Sequence, residues 1–336
     1  MSAVAETLPY RRVAVTGASG YIGRQLVAAL ASDPRAVELV VATDLRPPPS
    51  PLDGVEYVEA DVRTTDFAAL FAEHRIDLVV HLAAIVTPTP DMGRELEYAV
   101  DVTGTANVLE GCLAAGVRKF IYTSSGAAYG YHADNPARLR EDDALRGNAE
   151  FAYSDHKRLV EEMLADWRRK HPGLLQLVFR PGTILGEQAH NQITAIFDRP
   201  VVLGIAGSPA PFVLVWDGDV VGAILRGIHE GGVGIYNLAG DGTLGLAEIA
   251  ALLGKPYVAL PAFLVEAALT VLHAVGLSPY GPEQVGFLRF RPVLDNRRLK
   301  EEFGYVPRLT TREVFELFLQ ARGRGGKEAG DRGAKA

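Results

Sequence analysis

Val13-Ala14-Val15-Thr16-Gly17-Ala18-Ser19-Gly20-Tyr21-Ile22-Gly23 sets a short apolar, β-branched run against a glycine-rich turn. A helical pattern carrying Ile22, Leu26, Val27 and Leu30 follows the turn. This order suits a loop whose backbone must turn tightly and bring its amides close to a bound anion. Glycine has no Cβ to hold the chain away, and a helix start favours negative charge. Gly17, Ser19, Gly20, Tyr21, Ile22 and Gly23 are therefore expected to line the pyrophosphate of a dinucleotide.

The same rhythm continues outward from this stretch. Leu39–Thr43, Val55–Glu59, Leu78–Leu82 and Phe120–Ser124 read as strands, with helices near Thr65–Glu73 and Glu95–Ala115. A long helix from about Tyr153 to Lys170 precedes a sixth strand at Leu174–Phe179. Buried strands joined by helical crossovers predict a parallel sheet covered on both faces. Beyond Arg180-Pro181 the elements shorten: a strand at Phe212–Val215, a helix at Asp219–His229, a strand at Gly234–Leu238 and a helix near Leu246–Leu253. The expected fold is α/β, a Rossmann-type doubly wound parallel sheet with a smaller C-terminal substrate lobe. Residues 11–180 are expected to form mainly the dinucleotide domain. Residues 181–320 are expected to form mainly the substrate lobe, partly interleaved with that domain. Residues 321–336, glycine and charge without periodicity, are expected to be a flexible tail.

Composition narrows the function classes. A chain of 336 residues that is 48% hydrophobic and 22% charged is neither disordered nor a disulfide-stapled scaffold. Its 34 basic against 41 acidic residues, a net charge of -7, offer no electrostatic footprint for nucleic acid. Cys112 stands alone, which excludes an intrachain disulfide and suggests a reducing compartment. Met1–Arg12 lacks the apolar core of a secretory signal, so a cytoplasmic location is expected. The apolar stretch Val258–Val275 contains Pro261, Glu266 and His273, is short for a span, and is expected to be a packed amphipathic helix with no stable membrane insertion.

Further cofactor contacts are expected at strand ends, where an open sheet receives ligands. Asp44 ends the second strand, where a carboxylate accepts hydrogen bonds from the adenosine ribose of NAD and repels the extra phosphate of NADP. Arg46 nearby is the residue that would argue for NADP. Asp61-Val62 after the third strand is placed to meet adenine, and Leu82-Ala83-Ala84 offers small residues where the cofactor passes.

Tyr153-Ser154-Asp155-His156-Lys157 places a phenol and an ammonium four residues apart, on one helix face. A lysine beside the phenol favours its ionised form, so Tyr153 is the expected general acid/base. Ser125, after the fifth strand, is expected to hydrogen-bond the substrate oxygen; satisfying a nearby backbone group is the alternative for Ser124, and for Ser125 as well.

With these motifs in this order, the chain resembles the extended short-chain dehydrogenase/reductase family, in its NAD-dependent epimerase/dehydratase branch, over about residues 11–320. The resemblance implies that Gly17, Gly20 and Gly23 line NAD, with Asp44 at its ribose and Asp61 and Val62 at its adenine. Ser125, Tyr153 and Lys157 become the catalytic set, Lys157 also touching the nicotinamide ribose, and Pro181 lies by the carboxamide. A homodimer through Glu95–Ala115 and Tyr153–Lys170 is implied too, with Val102, Ala106, Leu109, Leu159 and Leu164 as apolar contacts.

The departures from the family pattern bear on substrate. Asp101 stands where the family usually has asparagine before Gly104-Thr105, and Ala128 replaces the usual valine before Tyr129-Gly130. Phe212–Val215 lacks the arginine that commonly meets a diphosphate, with Arg289 and Arg291 as later cationic candidates. Gly126-Ala127 lacks the acidic pair of a 4,6-dehydratase. The expected activity is hydride transfer between a secondary alcohol or ketone and nicotinamide, with a nucleotide-sugar 4-epimerase retaining NAD as the alternative. The expected partners are accordingly a small alcohol, a ketone or a sugar nucleotide. No metal is expected: His156 reads as a helix-surface residue, His190 as loop polarity, Glu187 as solvated or near substrate, and Cys112 as a buried small hydrophobe.

Overall fold

The computed structural model describes residues 10–33, 37–89, 92–189, 192–275, 277 and 281–333, the backbone only for 192 and 324–333. In chain order the elements are β1 (Arg12–Thr16), α1 (Tyr21–Ser32), β2 (Leu39–Asp44), β3 (Val55–Glu59), α2 (Phe67–Glu73), β4 (Leu78–His81) and α3 (Arg94–Tyr98). A π-helical stretch, Ala99–Thr103, leads into α4 (Gly104–Ala114), β5 (Lys119–Thr123), a 3-10 turn (Gly126–Tyr129), α5 (Ala152–Lys170) and β6 (Leu175–Pro181). There follow β7 (Thr183–Leu185), α6 (Gln192–Asp198), β8 (Val202–Ile205), β9 (Leu214–Trp216), α7 (Asp217–His229), β10 (Gly234–Leu238) and α8 (Leu246–Leu253). The chain ends with β11 (Tyr257–Leu260), α9 (Ala262–Ala274), α10 (Gln284–Arg289), α11 (Arg297–Glu301) and α12 (Thr311–Gly333).

Seven strands form the central sheet in the order β10-β6-β5-β4-β1-β2-β3. The pairs β1–β2, β2–β3, β1–β4, β4–β5 and β5–β6 are all parallel. This is the doubly wound arrangement, and the strand order reverses between β1 and β4, where such sheets open a crevice at their carboxyl ends. β1 and β4 are buried along nearly their whole length, as their unbroken apolar runs require. Helix α1 turns Gly23, Leu26, Val27 and Leu30 inward, an i, i+3, i+4, i+7 stripe.

The chain divides into two compact units. The first comprises residues 1–125, 156–180 and 220–236. Its core on one side of the sheet joins Val79, Phe120 and Val178 to Phe67, Phe71, Val108, Leu109, Val160 and Leu164 from the helices. The second comprises residues 126–155, 181–219 and 237–336. Its core gathers Tyr129, Leu139, Val213, Ala239 and Leu294, with Phe197 packed against Phe212, Phe315 and Phe318. Two small parallel pairs, β11–β8 and β7–β9, belong to this unit.

Three local expectations change. The single helix expected over Glu95–Ala115 is split by the π-helical stretch, which widens the turn and carries Asp101 and Val102 inward. The packed helix expected within Val258–Val275 is α9, but none of its residues is buried, and Phe263 and Val271 are 66% and 62% exposed. Its apolar residues surround the helix instead of forming one stripe, so no face directs it against a core. Val102, Leu109 and Leu164, expected at a dimer contact, are instead buried in the first unit's own core, with Leu159 packed beside it. The amphipathic stripe that marks a helix for burial is the same whether a sheet or a second chain covers it.

Helix α12 begins with the buried Val314, Phe315 and Phe318 and continues to Gly333, although each glycine of its second half disfavours a helix by about 1 kcal/mol. Residues 334–336 of the expected tail lie outside the described residues, as does His190.

Candidate active site

The glycine loop joins β1 to α1 as the sequence predicts. Gly17 sits at φ +69, and a Cβ there would meet the backbone nitrogen of Ala83 at 2.6 Å. The loop therefore rests directly on the end of β4, which is why both a left-handed backbone and a missing side chain are needed. A Cβ on Gly23 would lie 2.1 Å from the Gly17 carbonyl oxygen, so helix and loop share the same contact. Gly20 starts α1 with no side-chain cap. A helix start behind a glycine turn, resting on the backbone at the end of β4, fits a pyrophosphate.

Asp44 closes β2 against this loop. Its carboxylate accepts the Ser19 N–H at 2.9 Å and the Leu45 N–H at 2.8 Å, and Ser19 Oγ donates to the Arg46 carbonyl at 2.8 Å. A carboxylate has about four acceptor positions, so Asp44 keeps capacity for ribose hydroxyls while its orientation is held. Arg46 is exposed. Asp61 is gripped by Arg63, whose Nε stands 3.0 Å from both carboxylate oxygens and Nη2 2.6 Å from one, and these bonds hold the carboxyl below its usual range. Val62 is buried against Gly104, where a Cβ would meet Val62 Cγ2 at 2.6 Å. Leu82, Ala83 and Ala84 follow β4 half-buried, the Leu82 N–H donating to the Thr16 carbonyl.

Tyr153 and Lys157 lie one turn apart at the start of α5, Tyr153 half-buried and Lys157 buried. The Lys157 ammonium donates to the Tyr122 hydroxyl at 3.0 Å and the Thr123 carbonyl at 2.9 Å, and stands 4.7 Å above the Tyr122 ring. Burial pushes its pKa down to about 8, while the charges of Asp101 and Glu161 resist that fall. Ser125 is buried between the end of β5 and the 3-10 turn. Pro181 ends β6, buried.

Around these residues the structure places polar groups that the sequence reading missed or assigned elsewhere. Ser124, expected to serve the backbone through its hydroxyl, donates to Glu161 Oε1 at 2.5 Å. Glu161 also receives Arg180, through Nε at 2.8 and 3.0 Å and Nη2 at 2.7 Å. This buried group ties the ends of β5 and β6 to α5. Its sequence signal was Glu161 standing four residues after Lys157, on the same face. His81 bridges Thr16 Oγ1 at 2.7 Å and Thr105 Oγ1 at 2.9 Å. Burial and the Lys157 charge push its pKa down to about 3, so it is neutral at physiological pH.

His156 is a correction, because it is buried and not on the helix surface. It precedes Val160 by one turn and so joins the inward stripe of α5. Its Nδ1 lies 3.0 Å from Asp101 Oδ2, and the Tyr98 ring meets it edge-on at 5.6 Å. Cys112 is buried, and burial drives its thiol pKa strongly upward. Glu187 is exposed. Among the described residues no group of three or more His, Cys, Asp or Glu side chains is placed to hold a metal ion, and no helix is long and apolar enough to cross a membrane.

In the second unit Tyr153 belongs to an aromatic group: Phe151 lies 6.0 Å from it, Phe287 4.9 Å from Phe151, and Tyr131 5.1 Å from Phe287. Arg291 stacks its guanidinium 3.9 Å over Phe212 and reaches Thr183 Oγ1 at 3.4 Å.

Residues 13–218 match the NAD dependent epimerase/dehydratase family. The chain belongs to that family. It is accordingly an NAD-dependent enzyme of the epimerase/dehydratase kind. An uncharacterized protein of Mycobacterium tuberculosis is 27% identical over 316 residues, spanning 93% of this chain and 84% of the relative. A short-chain dehydrogenase/reductase superfamily protein from Agrobacterium tumefaciens, solved with bound NAD, superposes with a TM-score of 0.71 at 24% identity, covering 95% of this chain and 99% of that one. The UDP-glucose 4-epimerase of Thermotoga maritima, solved with UDP-glucose, gives a TM-score of 0.71 at 20% identity over 94% of this chain and 99% of that one. At these identities the two structures speak to the shared fold.

Proposed function

We propose that this family member is an NAD-dependent oxidoreductase acting on a secondary alcohol or its ketone, with Tyr153 as the proton-exchanging residue. The observation that carries the reading is the buried Lys157 ammonium, anchored on β5 one helical turn after Tyr153. A phenol is a poor base near neutral pH, and a cation on the same helix face lowers its pKa. Tyr153 then takes the hydroxyl proton of the alcohol, or returns it to the ketone oxygen, while the Ser125 hydroxyl donates a hydrogen bond to that oxygen. NAD, when bound, supplies the acceptor and donor of hydride. The glycine loop from Gly17 to Gly23 receives its pyrophosphate at the start of α1, Asp44 its adenosine ribose, Asp61 and Val62 its adenine, and Leu82, Ala83, Ala84 and Pro181 the remaining wall. The carboxylate–guanidinium pair of Asp61 and Arg63 lies at the surface, where such pairs contribute little and open readily.

A nucleotide-sugar 4-epimerase is the second reading, and Arg291 favours it. A guanidinium stacked on Phe212 beside a threonine hydroxyl presents the planar donors that a diphosphate accepts. The Thermotoga neighbour binds UDP-glucose, which makes that compound the natural probe.

The test incubates cofactor-stripped protein with NAD and a panel of secondary alcohols, ketones and UDP-glucose. Net appearance of reduced nicotinamide supports the oxidoreductase; conversion of UDP-glucose to its 4-epimer without net reduction supports the epimerase. In either case Tyr153→Phe should lower the chemical step about a hundredfold or more and leave NAD binding largely intact. Unchanged turnover in a folded, NAD-occupied Tyr153→Phe protein overturns the assignment of Tyr153.

A further inference from the structure

Asp101 is a buried carboxylate of the first unit bonded through both oxygens. It lies in the π-helical stretch Ala99–Thr103, a deviation frequent at functional sites. One carboxylate oxygen accepts the Ile85 N–H at 2.8 Å, and the other faces His156 Nδ1 at 3.0 Å. The two side chains are 5% and 4% exposed. Ile85 follows Leu82-Ala83-Ala84, the segment on which the glycine loop rests. His156 is the chain neighbour of Lys157. A single carboxylate thus joins the cofactor-facing loop after β4 to the catalytic helix.

We propose that Asp101 and His156 are a buried pair of positioning residues that locks the loop after β4 to α5 and sets a fixed negative charge beside the Lys157 ammonium. This inference rests on the assignment of Lys157 to the acid/base site. A carboxylate is needed because an amide offers one acceptor oxygen and no charge, while the bond to His156 requires the histidine proton on Nδ1. Among the groups acting on Lys157 are Asp101 from the π-helical stretch, Glu161 on its own helix, His81 of β4, and Tyr122 and the Thr123 carbonyl of β5. His81 is neutral, and Glu161, which also raises the lysine, faces Arg180 and Ser124 as well. Asp101 is the larger of the two carboxylate influences on the lysine, and its own contacts are a histidine ring nitrogen and a backbone amide.

The pair makes two separable predictions. Asp101→Asn keeps an acceptor for Ile85 and, with the histidine proton moved to Nε2, a bond to His156, but removes the charge. In protein labelled with 13C at lysine Cε, with Lys157 identified from its disappearance in Lys157→Arg, the Asp101→Asn midpoint should fall by about one pH unit or more, the effect of losing a nearby opposite charge. An unchanged midpoint overturns the electrostatic half of the proposal. For the locking half, hydrogen exchange at the Ile85 amide should be at least about tenfold faster in His156→Ala than in wild type. His156→Asn, whose amide can donate where Nδ1 does, should restore protection. Equal exchange in all three proteins overturns it. Neither measurement uses substrate or turnover, so an active Tyr153→Phe enzyme would refute the acid/base assignment while these results stood apart.

Discussion

Lys157→Met separates the cost of the buried ammonium from its use. The folded-state pKa is pushed from 10.5 down to about 8. At 1.36 kcal/mol per pKa unit, holding the charged form in the fold at pH 7 costs roughly 3 kcal/mol relative to the unfolded chain. Methionine is similar in shape and carries no charge, so the variant escapes this cost. It loses the bonds to the Tyr122 hydroxyl and the Thr123 carbonyl, about 1 kcal/mol each. The balance leaves Lys157→Met about 1 kcal/mol more stable than wild type at pH 7, although turnover should fall. Between about pH 8 and 10.5 the folded lysine has released its proton while the unfolded one still binds it, so wild-type stability rises with pH across that window. The advantage of the variant should therefore shrink by about 1.4 kcal/mol per pH unit above pH 8 and change sign near pH 9. Urea unfolding of both proteins at pH 7, 8, 9 and 10 measures the difference, in which Lys119, Cys112 and the tyrosines cancel. A difference that does not vary with pH refutes the reasoning, because a solvated lysine would give that result.

Glu161→Gln should destabilise the protein by about 3 kcal/mol, since it leaves Arg180 buried without its counter-charge; a loss under about 0.5 kcal/mol in thermal unfolding would show that the group is solvated. NAD should bind more tightly than NADP to the stripped protein, and Asp44→Ala should narrow the gap; calorimetric titration showing equal or tighter NADP binding would shift the assignment to Arg46. Gly23→Ala should abolish dinucleotide binding in the same titration, because its Cβ would sit 2.1 Å from the Gly17 carbonyl oxygen; unaltered affinity would mean that the loop is not the cofactor cradle. Light scattering should report about twice 36.1 kDa for the proposed homodimer, and a concentration-independent monomer would exclude it.

The fold was legible because its signal is local. Strand runs such as Val13–Thr16 and Leu39–Thr43, each followed by a helix with its own apolar stripe, imply a parallel sheet wherever they occur together. The glycine loop was legible for the same reason: Gly17 and Gly23 answer to contacts formed within a few residues of chain or at the neighbouring strand end. Tyr153 and Lys157 could be paired by helical spacing alone.

The polar groups around them were not legible, because their partners come from far along the chain. Asp101 and His156 are 55 residues apart, and no spacing rule connects a π-helical carboxylate to a histidine on another helix. The apolar stripes of α4 and α5 posed the opposite difficulty: sequence records that Leu109 and Leu164 must be covered, but a sheet and a second subunit cover them equally well. The sequence by itself determined the alternation of strand and helix, the glycine turn and the tyrosine–lysine spacing, all set by backbone sterics and residue periodicity. Only the tertiary structure decided that His156 points inward, that Ser124 serves Glu161 and that Asp101 spans two elements. Burial and charge at those positions depend on which distant side chains arrive beside them, and that is settled when the sheet closes.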